Sequence, residues 1–313
     1  MNKKHIFLNT IISTLAIPSA INFFIFHSAK NKSIKTEGQY YNWKYGKIFY
    51  TVKGCGEPLL LIHGIGAGCQ SFEWRRNVDI LSKYYEVYTI DLIGFGKSDK
   101  PNMTYTAYIY SQLIIDFIVN IIKTPANVVA SSLSGAFTIM SYNLSPELFH
   151  KLLLISPSGI GNTNTTFNKN DRLLRILINS PIIGTSIYTY ITSKKSIKKF
   201  LAQNVFFDEN DITDEIVDAY YFSSHNKNTS SKYAIASFIS NYMNINIEST
   251  LSKIDLPIYI VWGKNAKLSP LSNLEIIKQL NPNIEYAIFD QTKMLPHSEN
   301  PREFNKICKE FFE

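Results

Sequence analysis

Apolar runs of four to seven residues recur along the chain and end at His63, Asp91, Ala130, Ser156, Trp262 and Asp290. Runs this short and this uniformly apolar read as strands buried on both faces. Between them the spacing turns helical, with helices predicted over 73–83, 105–122, 133–143, 273–280 and 303–312. Ahead of them, residues 40–43 and 47–52 flank Tyr45-Gly46 and read as an opening hairpin. Strand and helix in alternation predict an α/β fold, a mostly parallel eight-stranded sheet flanked by helices.

The rhythm breaks twice. From about 159 to 254 no strand pattern occurs, and amphipathic helical segments at 172–178, 195–202, 212–221 and 233–243 predict a helical insertion. At the other end, residues 6–26 contain no charge and are long enough to cross about 30 Å of hydrocarbon as a helix. The chain thus divides into a segment at 1–36, expected to be a single membrane span or a cleaved signal, and a domain at 37–313. Weak cleavage patterns at Pro18-Ser19-Ala20 and His27-Ser28-Ala29 fit the signal reading and an extracytoplasmic location. The span reading is preferred, and the lysine balance across it favours a cytoplasmic domain.

The net charge of +7 concentrates at the N-terminus, where Lys3, Lys4, Lys30, Lys32 and Lys35 precede the first acid. The body of the chain is therefore expected to be nearly balanced, which argues against nucleic acid as a partner and for membrane phosphates near the N-terminal segment. Three cysteines (Cys55, Cys69, Cys308) form no Cys-x-x-Cys pair, and the six histidines show no ligand spacing. No metal or cofactor is expected, and the cysteines read as filler.

Candidate chemistry sits at the strand ends. Val128-Val129-Ala130-Ser131-Ser132-Leu133-Ser134-Gly135 reads as a strand turning sharply into a helix with Ser132 at the apex, flanked by the small residues such a corner requires. Leu61-Ile62-His63-Gly64-Ile65-Gly66 ends an upstream strand in a glycine loop, and Asp91 precedes Gly94-x-Gly96. These three segments, in this order, resemble the α/β-hydrolase superfamily from about residue 40 to the C-terminus. The resemblance implies Ser132 as nucleophile, the amides of Ile65 and Leu133 as an oxyanion hole, and the helical insertion as a lid over an apolar pocket. His63, Gly64, Asp91 and Asn265 then fall around that pocket, His63 and Asp91 as loop braces.

The chain departs from the family pattern where the acid and base belong. Val261-Trp262-Gly263-Lys264-Asn265-Ala266 places Ala266 in the acid slot, and Lys293-Met294-Leu295-Pro296-His297 places Met294 in the base slot. Ser156 occupies an alternative acid position. Losing the histidine of such a triad costs about 10⁶ in turnover. Two readings follow: a hydrolase or acyl-transfer enzyme for small hydrophobic esters with His297 as an unusual base, oriented by Asp290 or Glu299, or a hydrolase-fold protein that binds a hydrophobic ligand or protein partner without turnover. Proton-transfer or lyase chemistry in the same pocket stays open.

Overall fold

The computed structural model describes residues 3–29, 32, 36–161 and 168–313, the side chains of 3–15 and 228 excepted. Lys30 and Lys35 of the basic cluster, and the side chains of Lys3 and Lys4, lie outside the described residues.

Eight strands form one sheet: β1 (Gln39–Trp43), β2 (Gly46–Lys53), β3 (Pro58–Ile62), β4 (Glu86–Ile90), β5 (Ala126–Ser131), β6 (Phe149–Ile155), β7 (Ile258–Gly263) and β8 (Glu285–Phe289), in spatial order β1-β2-β4-β3-β5-β6-β7-β8. Only β2 runs antiparallel to its neighbours, so β3 to β8 point their C-terminal ends the same way. Every side chain of β5 is buried, as a central strand covered on both faces requires. Ligands in such sheets lie beyond the carboxyl ends of the strands.

Thirteen helices are resolved among the described residues. They are α1 (Lys3–Ala29), α2 (Val78–Leu81), α3 (Ala107–Phe117), α4 (Leu133–Leu144), α5 (Lys169–Asn179), α6 (Ile183–Ile191), α7 (Lys194–Phe200), α8 (Asp214–His225), α9 (Lys232–Ile239), α10 (Glu248–Leu251), α11 (Ser272–Leu280), α12 (Pro296–Glu299) and α13 (Pro301–Phe312). Helices α5 to α10 occupy the interval between β6 and β7 and lie over the strand ends. The helix expected over 73–83 is instead a 3₁₀ turn, Ser71–Trp74, followed by the single turn of α2. Buried Asn77 separates them, because its side-chain amide is committed to His297 O (3.0 Å) and Asn305 Oδ1 (2.9 Å) on the C-terminal helices.

The N-terminal helix corrects the transmembrane expectation. Among the described residues no helix is long and apolar enough to cross a membrane. Asn9, Thr10, Ser13, Thr14, Ser19 and Asn22 dilute the hydropathy of the stretch, and Pro18 lies within it. The second half of α1 docks on the lid instead. Asn22 donates to Ser186 Oγ (3.0 Å) and accepts from Thr189 Oγ1 (3.1 Å), while Phe26 packs against His225 with ring centroids 5.1 Å apart. Burial of the Phe26 ring contributes about 2 kcal/mol to this docking. Lys232 holds the lid from within, donating to Ser180 O and Thr185 Oγ1, each at 2.8 Å.

His225 makes this assembly acid-sensitive. Burial among Phe26, Tyr188 and Tyr221 drives its pKa from 6.5 down to about 4. The unfolded chain therefore takes up a proton that the folded one refuses, and stability falls as pH drops from about 6.5 to 4, by a total of about 3 kcal/mol. Thermal melts at pH 7 and pH 4.5 are expected to show a smaller acid-induced drop in Tm for His225→Gln than for the wild type. Equal drops would show that His225 does not carry the effect.

Candidate active site

Ser132 stands between β5 and α4 with φ 54° and ψ −126°, a region that residues with a side chain rarely occupy. Neighbouring backbone fixes it there. Ser132 N donates to Ile155 O at 2.8 Å, extending the ladder between β5 and β6 by one rung, and Ser132 O accepts from Gly135 N at 3.0 Å. A Cβ at Gly135 would stand 3.3 Å from Pro157 Cβ, so the corner needs a small residue there. Ser134, where the family pattern has glycine, uses its hydroxyl to donate to His63 O (2.6 Å) and ties the corner to the loop after β3.

That loop is braced by the residues expected to brace it. His63 is fully buried. Its Nε2 accepts from Leu92 N (3.1 Å), which leaves the proton on Nδ1, and Nδ1 donates to Gly64 O (2.7 Å). Asp91 accepts from Ser71 N and Lys97 N, both at 2.7 Å. A Cβ at Gly96 would fall 2.1 Å from the Asp91 carboxylate, so the turn around it admits only glycine. Among the described residues the Ile65 amide has no protein acceptor. The Leu133 amide, at the first position of α4, has no intrahelical one.

Ser132, Gly64 and Ile65 line a cavity of about 310 Å³ closed by Ile191, Ile197, Phe200, Val205, Ile235, Phe238 and Ile239 of the lid. Its polar lining consists of Ser131, Ser132, Cys69, Glu73 and Tyr220; among the described residues no lysine, arginine or histidine borders it. Burial, with the Glu73 charge added, pushes the Cys69 thiol well above its ordinary value, so it stays protonated. Among the described residues no cluster of His, Cys, Asp or Glu is arranged to hold a metal ion.

The acid and base slots are adjacent. Lys264 N donates to Phe289 O (3.0 Å) and Asn265 N to Thr292 O (2.9 Å), which brings the loops bearing Ala266 and Met294 together. Met294 lines the cavity, Ala266 is buried, and Asn265 is exposed and off the cavity wall, contrary to its expected position. Asp290 is exposed and paired with Lys264 at 2.6 Å. Glu299 accepts from Phe207 N and Lys293 N. Neither acid orients His297.

His297 is itself placed differently from the expectation of a base on the cavity. It is fully buried in α12, stacked on Trp74 with centroids 4.4 Å apart, and its Nε2 stands 3.1 Å from Glu73 Oε1. Pro296 opens the turn of α12 one residue earlier, and the imidazole lies against Trp74 and Glu73. Glu73 is the residue the sequence reading missed as a site residue. Its Oε2 accepts from Gly64 N (3.0 Å), and it borders the cavity. A Cβ built on Gly64 would stand 3.6 Å from Ser132 Cβ and 3.7 Å from Glu73 Oε2, so carboxylate and nucleophile flank one glycine. Burial raises the Glu73 pKa, but the His297 imidazole, then His63 and the Gly64 amide, outweigh it and hold the carboxyl below its ordinary value. Among the described residues Glu73 Oε1, Trp74 Nε1, Asn77 Oδ1, Ser298 Oγ and both His297 ring nitrogens are buried without a well-aligned hydrogen bond. Such concentration of unsatisfied groups in one place is expected at functional sites.

A family model described as the alpha/beta hydrolase fold matches residues 57–301. The chain belongs to that family. Over 171 residues it is 31% identical to the 2-hydroxy-6-oxo-6-(2'-aminophenyl)hexa-2,4-dienoic acid hydrolase of Metapseudomonas resinovorans, a match spanning 49% of this chain and 59% of that relative. Over 280 residues it is 26% identical to a 2-hydroxy-6-oxononadienedioate/2-hydroxy-6-oxononatrienedioate hydrolase of Comamonas testosteroni, covering 85% of this chain and 91% of the relative. Among solved structures, a serine hydrolase involved in carbazole degradation aligns with a TM-score of 0.73 at 21% identity, covering 88% of this chain and 98% of the other, a likeness of fold. This member of the alpha/beta hydrolase family has the nucleophile corner and the glycine loop but not the acid and base at their usual places.

The strained corner is measurable. Replacing Ser132 with Gly relieves a backbone conformation costing about 1 to 3 kcal/mol, against about 0.5 to 1 kcal/mol of added unfolded-state entropy. Ser132→Gly is expected to raise Tm by about 2 °C. An unchanged or lower Tm would show the corner to be relaxed.

Proposed function

We propose that the chain is a serine hydrolase acting on a small, neutral, hydrophobic ester or related carbonyl compound. The observation that carries this is Ser132, held in a strained conformation at the wall of an apolar cavity beside two main-chain amides. In this reading Ser132 Oγ attacks the carbonyl carbon, and the developing oxyanion is stabilised by the amides of Ile65 and Leu133, worth about 3 kcal/mol each. The serine proton passes to the Glu73 carboxylate, which borders the cavity and stands 3.1 Å from His297 Nε2. The proton then returns to the leaving group, and water releases the acyl group.

The lining narrows the substrate. The relatives named above are hydrolases of dienoic acids or dioates by name. This cavity offers no cation to a carboxylate and places Glu73 in its wall, so an anionic substrate would lose hydration without recompense. A second reading, ligand binding without turnover, is favoured by Met294, whose side chain lines the cavity where the family's base belongs.

Labelling by a fluorophosphonate separates them. The folded wild type is expected to label and Ser132→Ala not to. Glu73→Gln is expected to label at least about 100-fold more slowly, the contribution of a positioned base. Gly64→Ala, whose methyl makes only ordinary contacts between Glu73 and Ser132, is expected to slow labelling without loss of Tm. Wild-type labelling rates in Glu73→Gln would discard the base and leave the hydrolase standing. No labelling of folded wild type, with esterase activity appearing in the Ala266→Asp, Met294→His double variant, would establish the second reading.

A further inference from the structure

Helices α5 and α6 of the lid, with α1, expose apolar side chains in stripes. Helix α6 buries Gly184, Thr185, Tyr188 and Thr189 and exposes Ile183, Ile187, Tyr190 and Ile191, an i, i+4, i+7, i+8 stripe. Helix α5 buries Asp171 and Ile178 and exposes Leu173, Leu174, Ile176 and Leu177. Beside α6, α1 buries Asn22, Phe26 and Ala29 and exposes Ile17, Ile21 and Phe24 at i, i+4, i+7. Exposure reaches 62% at Leu173, 68% at Phe24 and 76% at Tyr190. A continuous apolar face of this extent marks an interaction surface.

Its chemistry is set by charge. Residues 169–200 hold seven lysines and arginines against one acid, in a chain whose net charge is +7. The body is nearly balanced in sum, yet this lid segment is strongly basic and the remainder beyond the N-terminus is acidic. Lys194 pairs with Asp218, whereas Lys195, Lys198 and Lys199 on the exposed side of α7 meet no carboxylate among the described residues. A second copy is a poor occupant, because a self-complementary contact would set one basic rim against another. An anionic bilayer satisfies both the apolar stripes and the rim.

We propose that α1, α5, α6 and α7 form a peripheral docking surface for anionic lipid bilayers. The cavity opens on this side: Ile191, Phe200, Ile239 and Leu268 both line it and are exposed at the surface. A neutral hydrophobic molecule dissolved in the bilayer would then reach Ser132 without crossing water. That delivery role rests on the hydrolase reading, whereas the docking does not, so the test uses the full chain carrying Ser132→Ala.

Flotation with vesicles of phosphatidylcholine alone and of phosphatidylcholine with phosphatidylglycerol reads the docking. Partitioning is expected to favour the anionic vesicles. Lys195→Ser, Lys198→Ser and Lys199→Ser combined should weaken it about a hundredfold, at about fivefold per lysine near the surface, with Tm unchanged. Ile183→Asn with Ile187→Asn, both at exposed positions, should abolish it. The proposal is overturned by no flotation, by equal partitioning of wild type and lysine variant, or by a lipid-free dimer that the isoleucine substitutions dissociate.

Discussion

The left-handed corner at Ser132 is the constraint around which the rest is arranged. A serine at φ 54° persists only when its surroundings over-determine it. Here they do so from three directions: the extra rung to Ile155 from β6, the start of α4, and the Ser134 hydroxyl bonded to the loop after β3. The parallel order of β3, β5 and β6 is what brings these anchors to one edge. A change in sheet order would separate them even if every local motif were kept.

The polar groups lie away from the slots that the resemblance gives to acid and base. The slots for acid and base hold Ala266 and Met294, both buried, so the usual side of the pocket is apolar. A carboxylate and an imidazole meet instead behind the oxyanion loop, at Glu73 and His297. Gly64 lies between Glu73 and Ser132: its amide donates to Glu73 Oε2 at 3.0 Å, and a Cβ built on it would stand 3.6 Å from Ser132 Cβ.

Much of this was legible in the sequence. The strand ends at His63, Asp91 and Ser132 carry their turns in adjacent residues, and the substituted slots at Ala266 and Met294 follow from the resemblance to the family pattern. Glu73 was not legible, because its meaning depends on His297, more than two hundred residues away, and local periodicity placed it only at the start of a helix. His297 was seen as chemically able, but in the turn opened by Pro296 its ring lies against Trp74 and Glu73. Periodicity also located α5, though not α6, without saying which side its stripe faces. A helix that shows its isoleucines to solvent and one that buries them have the same period. The lid's charge was countable throughout, yet a chain-wide sum conceals a segment offset by acids elsewhere.

The bond from Ser134 Oγ to His63 O has a mechanical consequence. It joins the segment bearing the Ser132 hydroxyl to the one bearing the Ile65 amide, which makes them a single rigid block anchored in the sheet. Rearrangement of the helices above this block can alter which molecules gain entry and how long they stay, while the alignment of oxygen and amide is left as the sheet built it.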